Sequence, residues 1–404
     1  MKVEIKKGAA NGTLTAPPSK SMAHRLLIAA AMAEGESIVR SVSSCNDVKA
    51  TLDCLRALGV ECIENENDVI VRGKHPSKMT PNSPLCARES GSTLRFMIPI
   101  ALSTNRSTVF YGAESLMQRP MKVYEDLAKE KNLTYINDGS SIIVKGKLPG
   151  GEYVLPGNVS SQFISGLLFA LPSADVDSYI KILPPIESRS YIGLTINALE
   201  SFGICAKWID DNTLFVPANQ KYKPCDITVE GDYSGAAFPD SLNLFSGKVK
   251  ILGLNENSLQ GDSVYKKYYE MLMRGVPTIH IGDCPDLGPI MFAIAAAKNG
   301  GIFTGTKRLK IKESDRAMAM AEELKKFGTA ISVYDDNVVI YPKEFHAPTE
   351  TLLGHNDHRI VMSLAVLLTL TGGEIDGAET VSKSYPTFFE DLRALGIEAI
   401  EKDR

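Results

Sequence analysis

A chain of 404 residues, 44% hydrophobic and 23% charged, is ordinary globular material and long enough for two or three domains. Its formal net charge of −4 argues against non-specific nucleic-acid binding, which needs a basic face. The longest apolar run, Ile360 to Leu370, is too short to span a bilayer, and seven scattered cysteines without a Cys-x-x-Cys spacing fit reduced thiols in a cytoplasm.

The first legible element follows Pro17-Pro18-Ser19-Lys20-Ser21. Two prolines stop a strand, serines cap a helix, and the helix is apolar nearly all round from Leu26 to Met32. A strand-like run at Ser37-Ile38-Val39-Arg40 comes next. An amphipathic helix then ends in Leu55-Arg56-Ala57-Leu58-Gly59, and a hairpin runs from Val60 to Val71 around Asn65-Glu66-Asn67. The pattern restarts at Gly91-Ser92-Thr93, with an apolar stretch Phe96 to Leu102, a looser helix end at Asn132 and a hairpin from Thr134 to Val144. It restarts again at Ser160-Ser161-Gln162 and closes its second helix at Leu199 to Gly203, before the strands Ile204 to Trp208 and Thr213 to Val216. A fourth start, Asp232-Tyr233-Ser234, leads to the strand Lys248 to Leu252 and a loose end at Gly275. The fifth, Pro285-Asp286-Leu287, precedes the apolar run Ile290 to Ala297, a helix end at Leu324 to Gly328 and a hairpin from Ile331 to Ile340. The sixth is Asp357-His358-Arg359, with its second helix ending at Leu392 to Gly396.

A period of roughly seventy residues marks a repeated unit of β-α-β-α-β-β type. The interval from Gly275 to Gly328 is short, so one unit is reduced. Glycine after the last helical turn is expected in the left-handed conformation. The first helix of each unit, apolar on every side, is expected to be buried, and the half-polar second helix to lie nearer solvent. Six units then pack into two lobes of three, an α/β (α+β) architecture.

The helix starts also carry the charges. Lys20, Arg25, Arg95 and Arg359 lie in or near first turns, where the macrodipole disfavours cations, so the scaffold is focused on anions. Lys20 and Arg25 with exposed helix N–H groups form a candidate phosphate or carboxylate cradle, against the plainer reading of a capped helix with two solvated cations. Gly91 permits close backbone approach to a ligand. Ser160, Ser161 and Gln162 offer two hydroxyls and an amide, and Arg119 and Ser188 precede further helices. From Lys310 to Arg316, three of the charged side chains are Lys312, Glu313 and Arg316; such a run usually means a solvated helix start with local ion pairs, but here it follows another restart, Asp283-Cys284-Pro285-Asp286. Asp286 and Glu313 are a candidate separated acid and base. Asn356 to Arg359 and Ser382 to Tyr385 add further cations, among them Lys383. His355 and His358 lack convincing further ligands, so no metal site is expected.

In these stretches the chain resembles the 5-enolpyruvylshikimate-3-phosphate synthase family of enolpyruvyl transferases. The resemblance rests on Pro-Ser-Lys-Ser at 18–21 with Arg25, Ser-Ser-Gln at 160–162, Lys-Glu-Ser-Asp-Arg at 312–316 and Asn-Asp-His-Arg at 356–359, in order from end to end. It implies two lobes, each of three units around a pseudo-threefold axis, closing over substrate in a cleft. The first strand joins the C-terminal lobe, giving 1–18 plus 230–404 as one lobe and 19–229 as the other. By resemblance, Lys20, Ser21, Arg25, Ser160, Ser161, Gln162, Ser188, Asp286 and Lys312 serve shikimate 3-phosphate, with Tyr191 beside its ring. Lys20, Gly91, Arg119, Gln162, Arg316, Arg359 and Lys383 serve phosphoenolpyruvate. Asp286, Glu313 and Lys20 are the implied catalytic groups, with no metal or organic cofactor, and a cytoplasmic monomer without nucleic-acid or membrane partners is expected. Glu89-Ser90 stands where an Asn-Ala pair is frequent, and Arg308 where an Asn is often found. The rivals are a sister transferase acting on a UDP-amino sugar, whose reactive cysteine is missing between Gly112 and Arg119, an RNA-end cyclase, which the acidic balance disfavours, and an inactive binding protein on the same scaffold.

Overall fold

The structure, a computed structural model, describes residues 1–402. Its contacts divide it into two compact units, Met1–Ser19 with Gly231–Arg404, and Lys20–Glu230. Two strands open the chain, β1 (Lys2–Ile5) and β2 (Asn11–Thr15), and both belong to the first of these units.

The unit Lys20–Glu230 begins with α1 (Lys20–Met32), β3 (Gly35–Arg40), α2 (Asn46–Ala57) and the hairpin β4 (Glu61–Asn65) and β5 (Asp68–Gly73). Next come β6 (Leu85–Cys86), α3 (Gly91–Ser103), β7 (Thr108–Tyr111), the single turn α4 (Glu114–Met117), α5 (Lys122–Glu130), β8 (Thr134–Asn137) and β9 (Ser141–Lys145). The third copy is β10 (Gly151–Pro156), α6 (Ser161–Ala170), β11 (Ser178–Leu183), α7 (Arg189–Ser201), β12 (Lys207–Trp208) and β13 (Thr213–Val216), and β14 (Asp226–Thr228) ends the unit. Three four-stranded sheets result: β14-β3-β5-β4, β6-β7-β9-β8 and β10-β11-β13-β12. In each, the first pair is parallel and the rest antiparallel. A parallel pair needs a crossover, and α3 and α6 supply it for the second and third sheets.

The other unit continues with α8 (Tyr233–Ser241), β15 (Lys248–Leu252) and α9 (Tyr265–Arg274). Then follow β16 (Thr278–His280), α10 (Gly288–Ala297), β17 (Gly301–Thr304), α11 (Arg316–Lys326), β18 (Ala330–Val333) and β19 (Asn337–Tyr341). The last copy is β20 (Leu352–Leu353), α12 (His358–Thr371), β21 (Gly373–Asp376), α13 (Phe388–Ala394) and β22 (Ala399–Lys402). The sheet β16-β17-β19-β18 repeats the shared topology. In β20-β21-β1-β22, the N-terminal strand β1 lies antiparallel between β21 and β22 and takes the place of a missing local strand.

One copy departs from the expected repeat. β15 pairs only with β2, and no hairpin separates α9 from β16. The short interval before Gly328 is therefore a lost hairpin. Gly275 is correspondingly not the left-handed cap expected of it: its φ of 163° is extended backbone. Gly59, Gly203, Gly328 and Gly396 do turn left-handed, with φ between 74° and 87°, and Asn132 does so at 54°. Behind Gly59, Asn132, Gly203 and Gly328 a hairpin follows, behind Gly396 the single strand β22, and behind the extended Gly275 the chain runs on to β16.

All six first helices open where the polar starts place them. α1 is buried from Met22 to Met32, and α3, α10 and α12 are enclosed almost as fully. Each unit holds its own apolar core, one containing Leu27, Phe96 and Leu168, the other Ile290, Phe292 and Leu364. The second helices expose a polar face: in α5 only Tyr124, Leu127 and Ala128 are buried. Among the described residues, no helix is long and apolar enough to cross a membrane.

Candidate active site

In the unit Lys20–Glu230, the starts of α1, α3 and α6 hold the polar groups. Lys20 is the first residue of α1, and its Nζ reaches Asp47 Oδ2 at 2.9 Å in the first turn of α2. Arg25, one turn on, is almost fully buried. Its Nε donates to Thr195 Oγ1 (2.8 Å), Nη1 to the Ser21 carbonyl (2.6 Å) and Nη2 to the Tyr191 carbonyl (3.0 Å), so it ties α1 to α7. Burial lowers its pKa to about 10, which leaves it charged at neutral pH. The guanidinium also lies over Phe96, 5.2 Å from the ring centroid.

α3 begins at Gly91 behind Ser90, whose Oγ accepts from Thr93 N (3.2 Å) and from Thr93 Oγ1 (2.8 Å). An alanine in this place makes neither bond, and a lost N-cap costs about 1 kcal/mol. Ser160 caps α6 in the same way, accepting from Gln162 N at 3.3 Å. Gln162 then bridges two helices: its Oε1 accepts from Arg95 Nη1 (2.7 Å), and its Nε2 donates to Ser92 Oγ (2.8 Å). A Cβ on Gly91 would stand 2.9 Å from Arg119 Nη1 and 3.4 Å from Arg95 Nη1, so glycine is what lets two guanidinium groups come this close. Nε and Nη2 of Arg119 are buried without a hydrogen-bond acceptor among the described residues. Ser188, buried and left-handed at φ 56°, immediately precedes α7.

In the other unit, a carboxylate stands among three cations. Asp286, in the turn before α10, accepts from Arg316 Nη1 (2.8 Å), with Lys312 Nζ at 3.3 Å and Arg359 Nη2 at 3.4 Å. Arg316 opens α11 and is fully buried. It spends its remaining edge on Asp357, with Nε to Oδ2 at 2.7 Å and Nη2 to Oδ1 at 3.3 Å. Asp357 also caps α12 through Arg359 N (2.9 Å) and accepts from Ser314 Oγ (3.2 Å). Burial opposes charge on both partners, yet each holds the other ionised: Asp357 lies below the ordinary carboxylate range, and Arg316 is raised. Ion pairs of this stretch reach distant residues, as the plainer reading of local pairs does not: Lys310 pairs with Asp335 at 2.9 Å. Lys383 Nζ donates to the carbonyl and Oδ1 of Asn356 (2.7 and 3.0 Å).

Glu313 Oε2 lies 2.8 Å from His358 Nδ1. The two histidines expected to lack further ligands each have carboxylate neighbours, which corrects that reading. Glu313, Asp357 and His358 cluster, as do Glu322, Glu323 and His355. Arg316 engages Asp357 and Lys326 engages Glu323, so one carboxylate of each cluster is paired with a protein cation. Arg308 is buried and donates from Nη1 to the Gly282 carbonyl at 3.3 Å.

The structure therefore gathers Gly91, Arg119 and Gln162 in one unit, and Asp286, Lys312, Arg316 and Arg359 in the other. Arg95 and Asp357 join these two groups, and Asp47 and Thr195 hold Lys20 and Arg25; none of the four was assigned a substrate from sequence. Arg95 and Asp357 carried a signal, since one sits in a helix start and the other inside Asn-Asp-His-Arg. Asp47 and Thr195 carried none.

Six related α/β copies, with cations at or near the starts of α1, α3, α11 and α12, define a class of two-unit α/β repeat proteins. The family described as EPSP synthase (3-phosphoshikimate 1-carboxyvinyltransferase) matches residues 5–392. A 3-phosphoshikimate 1-carboxyvinyltransferase of Clostridium acetobutylicum is 38% identical over 417 residues, covering 98% of this chain and 97% of the relative. One of Clostridium perfringens is 36% identical over 419 residues, with 98% of each covered. The solved EPSP synthase of Acinetobacter baumannii superposes with a TM-score of 0.79 at 25% identity, covering 99% of this chain and 100% of that one. The chain belongs to the EPSP synthase (3-phosphoshikimate 1-carboxyvinyltransferase) family.

Proposed function

We propose that this chain transfers the enolpyruvyl group of phosphoenolpyruvate to the 5-hydroxyl of shikimate 3-phosphate, releasing phosphate, in the shikimate pathway to aromatic amino acids. The observation that carries this reading is the Asp286 carboxylate held by Lys312, Arg316 and Arg359, in a chain with family relatives along nearly its whole length. Each substrate phosphate carries roughly −1.5 to −2 charges at neutral pH, so several fixed cations are required to assemble both.

In the proposed division of labour, Lys20, Ser21, Arg25, Ser160, Ser161, Gln162, Ser188 and Lys312 bind shikimate 3-phosphate, with Tyr191 beside its ring. Lys20, Gly91, Arg119, Gln162, Arg316, Arg359 and Lys383 bind phosphoenolpyruvate. Asp286 takes the proton of the 5-hydroxyl as that oxygen attacks C2 of the donor. Glu313, oriented by His358, and Lys20 protonate C3 as cationic character grows at C2. The tetrahedral adduct then loses phosphate, and the same groups recover a C3 proton. The protein is proposed to act as a cytoplasmic monomer, with no nucleic-acid or membrane partner.

Phosphate release from phosphoenolpyruvate is expected to require shikimate 3-phosphate, to fail with a UDP-amino sugar, and to survive a chelator. A coupled phosphate assay checks all three. Activity lost in chelator and restored by a divalent ion would sink the metal-free part alone.

Lys312 gives a pH signature. Burial, aided by Arg308 and Arg316 and opposed by Asp286, lowers its pKa to about 8 in the free protein. Its ammonium is present below that value and lost above it. The KM for shikimate 3-phosphate is therefore expected to rise as pH passes about 8, and Lys312→Arg to flatten the rise, because a guanidinium stays charged. An identical profile in wild type and variant would remove Lys312 from the acceptor's phosphate.

A further inference from the structure

α11 carries a second anchor two turns beyond Arg316, on the same face. Glu323 is fully buried, and its carboxylate is held by a backbone N–H, an ammonium and an imidazole nitrogen. Oε2 accepts from Leu353 N (2.9 Å) and lies 3.0 Å from Lys326 Nζ; Oε1 meets His355 Nε2 (2.8 Å) and Lys326 Nζ (3.2 Å). These contacts brace a segment of unusual backbone. His355 and Asn356 are consecutive non-glycine residues in the left-handed region, at φ 48° and 52°. Such residues persist only where their surroundings over-determine them. Arg316 holds the far end of the same segment through Asp357, so one helix pins both sides of the turn. The turn, in its own right, presents two oxygens of Asn356 to Lys383 Nζ and delivers Arg359 to Asp286.

We propose that Glu323 is a positioning residue for the enolpyruvyl donor: it fixes the left-handed pair His355-Asn356, and through it the Lys383 ammonium and the Arg359 guanidinium. The proposal rests on the functional reading above only in naming the donor as phosphoenolpyruvate. No contact of Glu323 with substrate is needed. Its effect is selective because the braced segment carries donor-side cations, whereas Ser21, Arg25, Ser160 and Ser188, which serve the acceptor alone, lie in the other unit.

The test uses the full chain with Glu323→Ala, Glu323→Gln and His355→Ala. Steady-state kinetics are run with each substrate varied, beside hydrogen exchange of the peptide spanning residues 353–359. Glu323→Ala is expected to raise the KM for phosphoenolpyruvate about tenfold, leave that for shikimate 3-phosphate within about twofold, and speed exchange in the peptide. Glu323→Gln, which still accepts from Leu353 N, is expected to fall between it and wild type, and His355→Ala to move in the same direction. If Glu323→Ala does not fold, the other two variants carry the same criterion. Equal rises in both KM values, or a lowered melting point with both KM values unchanged, overturn the proposal. A wild-type chain that does not turn over the substrate pair refutes the functional reading instead; the brace is then judged by exchange, and unchanged exchange in the variants overturns it.

Discussion

Asp286→Ala is expected to slow turnover by roughly 10²- to 10⁴-fold, the usual contribution of a positioned base, while shikimate 3-phosphate still binds. Arg316 and Lys312 lie against its Oδ1 and Arg359 against its Oδ2, so both oxygens are held before any ligand arrives. Removing it leaves Arg316 its Asp357 partner, and the fold of α11 and α12 is retained. Lys312 and Arg359 lose a counter-charge, which favours anion binding and works against the loss of a hydroxyl contact. Asp286→Asn separates shape from chemistry: the amide fills the space, accepts no proton, and is expected to be as slow as alanine. Phosphate release and calorimetric titration of shikimate 3-phosphate measure the two effects. Near-normal turnover in either variant would make the carboxylate a structural counter-ion only.

Asp357→Ala is expected to produce the largest loss of stability, about 3–5 kcal/mol, the range for breaking a buried ion pair from one side. Both partners are enclosed, and alanine leaves the Arg316 guanidinium with Asp286 alone while also removing the cap of α12. The same pair gives an acid signature. Against its burial, Arg316 holds the Asp357 carboxyl below its ordinary value. A group depressed in the folded state stabilises above the unfolded carboxyl pKa, near 4, and loses that contribution as pH falls further. Urea midpoints should therefore differ strongly between wild type and Asp357→Ala at neutral pH, and converge as pH drops well below about 4. A constant gap across that range would mean that the loss comes from the cap and packing, not from charge.

What was legible in the sequence was local. A polar cap, a following apolar run and a closing glycine lie within one helix and its ends, so the starts at Ser160, Asp232 and Asp357 could be read directly. Gly275 misled because a glycine after a helix permits the left-handed turn without requiring it. The cations were visible for the same local reason, but their partners were not. Arg25 finds the Tyr191 carbonyl 166 positions away, and Arg316 finds Asp357 41 positions away; neither spacing leaves a periodic trace. The plainer of the two readings of residues 310–316, local ion pairs, gives way at Arg316: a helix start that is buried must draw its counter-charges from other helices. The joining of the first strand to the C-terminal half came from family resemblance, since no pattern in Lys2–Ile5 names its neighbours.

That joining sets an order of assembly. β1 has no neighbours until β21 and β22 exist, and β2 waits for β15. During synthesis the opening residues leave the ribosome as unpaired strand edges, while Lys20–Glu230 already contains every strand of its three sheets. The inserted unit can therefore fold while the ends of its host are still apart, and the host closes only when the last strand is made. Contacts of such wide sequence separation are slow to form. A chain cut short before Ala399 keeps one finished unit and a sheet with an open edge at β1, the kind of edge that recruits other chains.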